Sequence, residues 1–251
     1  MKSFSLAGRT AVVTGGSRGI GAAIVETFVE HGARVFYCHV GDEARAEALD
    51  ARLSTDGRFA KGTVCDVADE QAVAAFFDGV RQEADAIDIL VNCAGIGGDK
   101  PFGSITVADW DTMMGVHLRG TFLATRQVFD DMVSRRYGRI INFASQLAYK
   151  GAPNLAHYCA AKAGIVGFTR ALSYEGAPHD VLVNAIAPGP VETELLMGMS
   201  DSWRAMKMGQ LPIGRFGQPD EIAPAVLLLA SESGSYFVGQ TLSPNGGDVM
   251  I

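Results

Sequence analysis

The stretch TAVVTGGSRGIGAAIVETFVEHG, residues 10–32, decides the fold. It opens with a β-rich run, passes through the glycine-rich loop TGGSRGIG and continues with apolar residues at helical spacing. In such a unit Gly15 takes the tight turn, Gly19 lets the backbone approach a phosphate, and Gly21 lets the helix pack closely on the strand. The helix N-terminus then faces the phosphates with free N–H groups. Similar loops also serve plain strand-to-helix packing, so the rest of the chain must decide between the two.

Short β-rich runs alternate with longer helical patterns along the remaining sequence. The runs are RVFYC at 34–38, GTVCDV at 62–67, DILVN at 88–92, GRIINFAS at 138–145, VLVNAIAP at 181–188 and a short closing run, QTLSP, at 240–244. Runs rich in Val and Ile without polar alternation are typical of strands covered on both faces. We therefore predict an α/β fold, a Rossmann-like doubly wound parallel sheet of about seven strands with helices on both faces. No linker divides the sequence, so residues 1–251 are predicted to form one domain.

Composition excludes several classes of protein. The chain has 251 residues, of which 48% are hydrophobic and 20% charged, so it can bury a sizeable core. A net charge of −7 and the lack of a Lys/Arg-rich run argue against nucleic acid as a partner. The first residues, MKSFSLAGRT, lack an apolar leader, and no apolar stretch is long enough to span a membrane. We expect a cytoplasmic protein without a membrane anchor.

The cysteines and histidines give no sign of a metal site. The four cysteines stand far apart without a C-x-x-C pair, and the five histidines show no ligand spacing such as H-E-x-x-H. Buried reduced thiols are the better interpretation of the cysteines. A catalytic metal is not expected.

Polar and small residues follow two further strands. Asp66 lies at the end of the third β-rich run, where a carboxylate could accept a hydrogen bond from an adenine amino group, although acids there also cap helices. VNCAG, residues 91–95, ends the fourth run with small residues that allow close passage of a ribose or nicotinamide. Because ligands of parallel sheets bind at the carboxyl edge, these segments support the dinucleotide interpretation of the glycine loop.

The segment HYCAAK, residues 157–162, places Tyr158 and Lys162 four apart and therefore on one face of a helix. An ammonium near a phenol favours the phenolate, so we expect Lys162 to lower the tyrosine pKa toward the range of an acid/base catalyst. Ser145, at the end of the fifth run, can hold a substrate oxygen for that proton. Taken alone, such a pair is more often a solvated helix face, but its small neighbours leave room for a cofactor.

The combination of these motifs, in this order, resembles the single-domain short-chain dehydrogenases/reductases over nearly the whole chain. It rests on TGGSRGIG, Asp66, NCAG at 92–95, Ser145, the YCAAK form of a Y-x-x-x-K motif, and PGPVET at 188–193. The resemblance implies an NAD(P)-dependent oxidoreductase that interconverts a secondary alcohol and a ketone, with Tyr158 as the acid in reduction and the base in oxidation. Lys162 would also bind the nicotinamide ribose.

The same resemblance implies the remaining cofactor contacts. Thr193 and the main chain of Val191 would hold the carboxamide. The implied cofactor-binding set is Gly15, Ser17, Arg18, Gly19, Ile20, Gly21, His39, Asp66, Val67, Asn92, Ala94, Gly95, Tyr158, Lys162, Pro188, Gly189, Val191 and Thr193.

One position departs from the family pattern. The family usually has asparagine in a V-N-L-like triplet, where it supports a helix distortion and a water of the proton relay, whereas this chain has Val116-His117-Leu118. His117 either replaces the asparagine in the relay or is a packed histidine that leaves the water on a main-chain carbonyl. Packing is the slightly favoured interpretation, and our hypothesis is that the relay survives.

Two features bear on the choice of nicotinamide. A 2′-phosphate requires nearby cations, whereas a free 2′-hydroxyl requires a carboxylate at the end of the second strand. That run ends Cys38-His39-Val40 without an acid, and Arg18 lies in the glycine loop, which favours NADP(H). Asp42 and Glu43 follow closely and could turn inward to a ribose, or act as a helix cap and first-turn acid. NAD(H) therefore stays open.

The substrate side carries less information. A Met-rich segment within residues 190–217 lies where the family has a substrate lid, and it includes Met197 and Trp203. With Gln146, these two residues are the predicted substrate contacts, and an apolar or bulky ketone or alcohol is expected. Coverage of the core or of a subunit interface is nearly as good an explanation of the segment.

Among subfamilies, the chain resembles 3-oxoacyl-[acyl-carrier-protein] reductases through its motifs and its ending GQTLSPNGG, 239–247. Asp130 and Tyr174 stand where those enzymes carry basic residues for their acidic carrier, which argues against a carrier-bound substrate. The alternative is that Arg135, Arg136 and Arg139 supply the positive charge instead. VHLRGTF at 116–122 and YGRII at 137–141 also resemble 3-hydroxyacyl-CoA dehydrogenases, so an acyl thioester stays open.

Two expectations concern the protein as a whole. A non-catalytic nicotinamide-binding sensor is the rival from another class, but it would be expected to lose the Ser/Tyr/Lys set that this chain retains. The resemblance also implies a homotetramer built through the two long helices, near residues 108–136 and 156–177.

Overall fold

A parallel sheet forms the centre of the computed structural model, which describes residues 3–250 apart from the side chain of Leu195. Its strand order is β3-β2-β1-β4-β5-β6-β7, and every pairing is parallel. The strands are β1 (Thr10–Thr14), β2 (Arg34–His39), β3 (Phe59–Val64), β4 (Ile89–Asn92), β5 (Gly138–Phe143), β6 (Val181–Ile186) and β7 (Thr241–Leu242). The predicted fold class and the seven strands are confirmed.

Helices connect the strands and cover both faces of the sheet. They are α1 (Gly19–Glu30), α2 (Glu43–Leu53), α3 (Glu70–Glu83), α4 (Val107–Met114), α5 (Gly120–Arg126), α6 (Phe129–Arg135), α7 (Leu147–Lys150), α8 (Ala156–Gly176), α9 (Glu194–Met197), α10 (Asp201–Gln210) and α11 (Pro219–Ala230). Short 3₁₀ segments lie at Phe102–Ser104, Ala177–His179 and Glu232–Gly234.

The core forms two layers, one on each side of the sheet. Within β1, Ala11 and Val13 pack in the layer beneath α1 and α11, whereas Val12 packs in the opposite layer with Phe76 and Phe77 of α3. All five β1 residues are buried, so a strand with apolar residues on both faces is stable only between two helical layers. This explains why the sequence shows no polar alternation there.

The third strand differs from the prediction. It covers Phe59–Val64 instead of 62–67 and pairs in register with β2, from Arg34 opposite Phe59 to His39 opposite Val64. As an edge strand it is only partly buried, so its position is set by pairing with β2 and not by its own apolar pattern. Asp66 therefore lies beyond the strand.

The long helix expected at 108–136 is interrupted. Between α4 and α5 the chain forms a π-helical segment, Gly115–Arg119, and a further break separates α5 from α6. A π segment bulges the helix by one residue and changes which side chain points inward. Here it carries His117 into the interior, where that residue is 2% exposed.

Candidate active site

The predicted functional segments converge at the carboxyl edge of the central strands. Strand β1 lies between β2 and β4. The strands β2 and β3 are added on one side of β1 and the strands β4 to β7 on the other, so the strand order reverses at β1. A crevice opens at such a reversal, outside the strand ends, and ligands of open parallel sheets bind there. The loops after β1, β4, β5 and β6 surround this crevice.

The glycine loop has the geometry of a phosphate cradle. Gly15 and Gly19 adopt φ values of +70° and +53°, which side-chain-bearing residues rarely adopt. A Cβ at Gly21 would lie 2.0 Å from the carbonyl oxygen of Gly15, so only glycine lets α1 begin this close to the loop. The first N–H groups of α1 have no acceptor within the helix, so they can donate to an anion. The residues present therefore fit a dinucleotide.

Two further loops meet this cradle. Thr14 Oγ1 accepts hydrogen bonds from the backbone N–H groups of Cys93 and Ala94, both at 3.1 Å, and so joins the glycine loop to the NCAG segment. A Cβ at Gly19 would lie 3.2 Å from Thr193 Cγ2, which places the loop after β6 against the same cradle. The segments predicted to bind cofactor are therefore neighbours in space.

Several predicted cofactor residues have internal hydrogen-bond roles. Asn92 is buried and its amide donates to Thr125 Oγ1 at 3.0 Å and to Asn142 Oδ1 at 2.8 Å, which locks the ends of β4 and β5 together. Asp66 is exposed and accepts from the backbone N–H of Ala68 at 2.9 Å, as a turn residue does. The helix cap of α3 is Asp69 instead.

The remaining members of the set lie in the walls of the crevice. Gly95 is in contact with the His117 ring, since a Cβ there would lie 2.6 Å from Cε1. Val67 and Val191 are buried, and the backbone of Gly189 passes Asn245 so closely that a Cβ would lie 2.6 Å from its Cα. Pro188 accepts a hydrogen bond from the backbone N–H of Gln146 at 3.1 Å. Ile20 packs against the core layer beneath α1.

Ser145, Tyr158 and Lys162 come together at the mouth of the crevice. Ser145 lies two residues beyond the end of β5 and is buried, while Tyr158 and Lys162 occupy one face of α8. The Lys162 ammonium lies 5.7 Å from the centre of the Tyr158 ring and donates a 2.6 Å hydrogen bond to the carbonyl oxygen of Phe143. This bond fastens α8 to the end of the strand that carries Ser145.

The electrostatics of the pair differ from the expectation. Burial raises the pKa of Tyr158 above its usual value, and the interaction with Ser145 offsets this only in part. Burial also lowers the pKa of Lys162 to about 8. The prediction that the ammonium makes the phenol acidic is wrong for this state of the protein, because desolvation dominates both groups.

His117 packs beside this pair. Its Nε2 lies 2.9 Å from the carbonyl oxygen of Ile96 and its ring meets Tyr158 edge-on. Burial, followed by repulsion from Lys162, lowers the pKa of His117 to about 3, so the imidazole is neutral. The backbone carbonyl oxygen of His117 accepts a 2.7 Å hydrogen bond from Thr121 Oγ1. The neutral packed ring matches the favoured interpretation of the sequence.

A cluster of charged residues lies beside the glycine loop. Glu194, at the start of α9, pairs with Arg18 Nη1 at 3.2 Å and also with Arg45 of α2. Asp42 stands at the N-cap of α2 without a side-chain cap hydrogen bond, and its carboxylate turns inward to accept a 2.7 Å hydrogen bond from Ser17 Oγ. Arg45 is a member of this cluster that was not predicted from the sequence, although its position one helical turn after Asp42 indicates that the two side chains can meet. His39 is buried close by on β2.

The lid segment buries some of its large apolar side chains and exposes others. Trp203 and Met208 pack on a small cluster formed by Leu196, Leu211 and Phe216. Met197 is 53% exposed. Gln146, the third predicted substrate contact, is buried and its side-chain amide donates to the carboxylate of Asp248. Trp203 therefore covers the core of the lid, whereas Gln146 belongs to a polar pocket.

Neither a metal-binding cluster nor a membrane-spanning helix occurs in the part of the chain that the structure describes. Among residues 3–250, no group of three or more His, Cys, Asp or Glu side chains is arranged to hold a metal ion. Within the same part of the chain, no helix is both long and apolar enough to cross a membrane.

Known proteins resemble the chain along its length. Residues 15–248 match the family model described as enoyl-(acyl carrier protein) reductase. A 3-oxoacyl-[acyl-carrier-protein] reductase, FabG, of Aquifex aeolicus is 39% identical over 97% of this chain and 98% of its own length. An acetoacetyl-CoA reductase of Allochromatium vinosum is 40% identical over 95% of this chain and 98% of its own length.

A solved structure from Beutenbergia cavernae superposes with a TM-score of 0.92 at 35% identity, covering 98% of both chains. That protein is provisionally named an NAD(P)-dependent gluconate 5-dehydrogenase, and its crystals contain NADP at low occupancy.

Proposed function

The chain belongs to the short-chain dehydrogenase/reductase family and is an NAD(P)-dependent oxidoreductase, and we propose that Ser145, Tyr158 and Lys162 carry out its chemistry on a secondary alcohol/ketone pair. The observation that supports these roles most strongly is the placement of the three groups at one sheet edge, beside a glycine cradle that fits a dinucleotide. We also propose that residues 1–251 act as one domain in which the segment 190–217 is the substrate lid.

The bound nicotinamide supplies the hydride in reduction and accepts it in oxidation. In the reductive direction Tyr158 donates its phenolic proton to the carbonyl oxygen, while Ser145 Oγ holds that oxygen by a hydrogen bond. The raised pKa keeps Tyr158 protonated at neutral pH, so it is ready to act as the acid. In the oxidative direction the same phenol must first lose its proton, so oxidation should be favoured at alkaline pH.

Lys162 holds this arrangement in place. Its hydrogen bond to the Phe143 carbonyl fixes the distance between α8 and the end of β5, and therefore between Tyr158 and Ser145. Gly15, Gly19 and Gly21, together with the α1 N-terminus, would hold the pyrophosphate, and Thr193 and Val191 would hold the carboxamide. Hydride transfer then depends on positioning by this chain and proton transfer on its own phenol.

The proposal is tested with Tyr158→Phe. Reduction of a panel of ketones and acyl thioesters, followed by the absorbance of reduced nicotinamide, should fall by at least about a thousandfold, because the proton donor is lost. Cofactor binding, measured by calorimetry, should persist. Tyr236→Phe is a matched control, since that tyrosine is 97% exposed. Unchanged turnover in Tyr158→Phe would refute the assignment.

We propose NADP(H) as the preferred nicotinamide, with NAD(H) accepted less well. Arg18 and Arg45 stand together beside the glycine loop, where a 2′-phosphate would need cations. Against this, Asp42 turns inward as an NAD-binding acid would, but its carboxylate is already hydrogen-bonded by Ser17 and lies 3.6 Å from Arg45. The NADP in the Beutenbergia cavernae structure agrees with the proposal.

A 3-oxoacyl thioester is a second candidate substrate, favoured by the 39% and 40% identical relatives. Asp130 and Tyr174 are both exposed, so the surface expected to receive an acidic carrier offers repulsion at Asp130. Acetoacetyl-CoA lacks that carrier and makes a direct test. Turnover of acetoacetyl-CoA with poor use of the carrier-bound thioester would show that the protein acts on CoA thioesters and not on carrier-bound ones.

A non-catalytic sensor is the rival function. The retention of Ser145, Tyr158 and Lys162, with the Lys162 ammonium 5.7 Å from the centre of the Tyr158 ring, argues against it, because a sensor has no need of a buried lysine beside a phenol. Turnover by the wild-type protein in the panel described above decides between them.

We propose a homotetramer assembled through the helices around α4, α5 and α8. A shallow groove between them is lined by apolar side chains, among them Trp110 and Phe122, which are 40% and 45% exposed. Exposed apolar area of this kind usually marks an interface. Light scattering after size exclusion should give four chains, and Phe122→Glu should give a smaller species.

We also infer a cytoplasmic location. The four cysteines are free, and none is placed in a disulfide. Reduced thiols in an NAD(P)-dependent enzyme are typical of reducing compartments.

A further inference from the structure

A buried carboxylate near the reaction centre is shared by two lysines. Asp248 Oδ2 accepts from Lys207 Nζ at 2.6 Å and from the Gln146 amide, and its Oδ1 accepts from Lys150 Nζ at 2.7 Å. The side chains of Asp248 and Lys207 are only 4% and 10% exposed. We call Gln146, Lys150, Lys207 and Asp248 the lysine-pair site.

The charges of this site do not balance. Two ammonium groups share a single carboxylate, and among the described residues no other acid pairs with either lysine. Lys207 is buried, where an ion normally needs a partner because desolvation is expensive, whereas the side chain of Lys150 is 34% exposed and in part solvated. The site is therefore left with one positive charge more than its own residues neutralise.

One hydrogen-bond acceptor in the site also lacks a donor. Gln146 is 3% exposed, and its Oε1 has no hydrogen-bond partner within the described part of the chain. The reverse orientation of the amide would turn its oxygen toward the Asp248 carboxylate, which is repulsive, so the nitrogen must face Asp248. Oε1 then points to a missing donor such as a hydroxyl group.

The site is directly connected to the proposed chemistry. Gln146 follows Ser145 in the chain, and the short helix α7 that carries Lys150 begins at the next residue. Lys207 lies on α10, within the segment 190–217, so the lid helix and the strand end that carries Ser145 meet at one carboxylate. A substrate held by Ser145 would therefore lie next to Gln146, one member of this site.

We propose that the lysine-pair site binds the carboxylate of a hydroxy-acid or oxo-acid substrate, with Lys207 and Lys150 as the cationic partners and Gln146 Oε1 accepting from a neighbouring substrate hydroxyl. This inference rests on the proposed oxidoreductase function and narrows its substrate class. It replaces the expectation of an apolar or bulky ketone, since a substrate carboxylate can pair with the second ammonium group and an apolar chain cannot. The provisional name of the gluconate 5-dehydrogenase relative agrees with a hydroxy acid.

Matched substrate pairs test the charge preference. Acetoacetate and 4-oxopentanoate are compared with their methyl esters in reduction, and gluconate is compared with sorbitol in oxidation, because each pair differs in the carboxylate. Wild-type kcat/KM should be higher for the acids. Hydroxyacetone phosphate against hydroxyacetone forms a further arm, and a preference for the phosphate over every carboxylate would overturn the carboxylate assignment.

Variants test the named residues. In Lys207→Met the ratio of kcat/KM for acid over ester should fall about 10- to 100-fold, as expected for one charge-assisted hydrogen bond. In Asp248→Asn the KM for the acids should fall, because the internal carboxylate no longer competes for the lysines. Lys61→Met is the control, since Lys61 is an exposed lysine on the far edge strand β3 and pairs with Glu83 of α3.

The outcomes separate the two proposals. If Lys207→Met and Asp248→Asn lower the thermal midpoint but leave the acid-to-ester ratio unchanged, the site is a structural ion pair and the inference is wrong. Wild-type turnover of esters, thioesters or sorbitol in preference to the acids would overturn the inference and leave the oxidoreductase function intact. A protein that turns over no member of either panel would refute both.

Discussion

The imidazole of His117 stands edge-on to the phenol of Tyr158, with ring centroids 5.3 Å apart and planes at 87°. The ring is neutral, and its Nε2 is engaged by the backbone of Ile96. It therefore buttresses the tyrosine from the side without offering a charged group to it. This relationship decides how His117 should respond to substitution.

His117→Asn should retain turnover near the wild-type level, within about threefold, because a main-chain carbonyl and not the imidazole would carry the relay. The measurement is kcat for the best ketone of the panel at saturating cofactor. A loss of a hundredfold or more, with the fold intact by circular dichroism, would show that the imidazole itself takes part.

The same variant should make the protein more tolerant of acid. The pKa of His117 is about 3 when folded and about 6.5 when unfolded, so the unfolded chain binds more protons between these values and stability falls as the pH drops through that window. At pH 4 this amounts to about 3 kcal/mol of unfolding free energy relative to pH 7. Urea titrations of both proteins at pH 7 and pH 4 measure it. An equal loss in both proteins would contradict the neutral buried imidazole.

Lys162→Met should change how the unfolding free energy depends on pH in the alkaline range. The lysine pKa is about 8 when folded, below the unfolded value of about 10.5, so the penalty of the buried ammonium is fully present below pH 8 and is relieved as the pH rises. The unfolding free energy of the wild type minus that of the variant should rise by about 3 kcal/mol between pH 8 and pH 10.5. A difference that stays constant over this window would show that Lys162 is not desolvated.

The cofactor preference should depend on the two arginines held by Glu194. Arg18→Ala and Arg45→Ala should each raise the KM for NADP about tenfold, the equivalent of one charge-assisted contact, with little change for NAD. Glu194→Gln should lower the KM for NADP, because the competing carboxylate is removed. Arg52→Ala on the same helix α2, paired with Glu26, is the control.

Initial rates with both nicotinamides at equal substrate measure this effect. A wild-type enzyme with a lower KM for NAD than for NADP at equal kcat would overturn the preference. Equal effects of the arginine variants on both cofactors would instead assign Arg18 and Arg45 to the lid.

Features with local causes were predictable from the sequence. The strand β1 and the start of α1 were located from the apolar run and the glycines, because buried strands and close packing restrict those residue types. The position of β3 was not predictable, since pairing with β2 decides it more strongly than the apolar pattern of β3 itself. The π segment at 115–119 contains no proline, and only the family triplet at 116–118 and the glycines at 115 and 120 indicate a distortion there.

Long-range contacts account for most of what the sequence did not reveal. Asp248 meets Lys150 and Lys207 across separations of 98 and 41 residues, so no local spacing could have indicated the pocket. The pKa of Tyr158 was predicted with the wrong sign, because the neighbour in sequence is visible whereas the desolvation produced by the whole fold is not.

The bond between Lys162 and the Phe143 carbonyl joins α8 to the end of β5, whereas Lys207 and Asp248 lie on the lid helix α10 and beyond β7. Exchange of Lys207 and Asp248 would therefore redirect the protein to new metabolites while the proton-transfer groups keep their positions. Diversification of the catalyst requires no reinvention of its reaction.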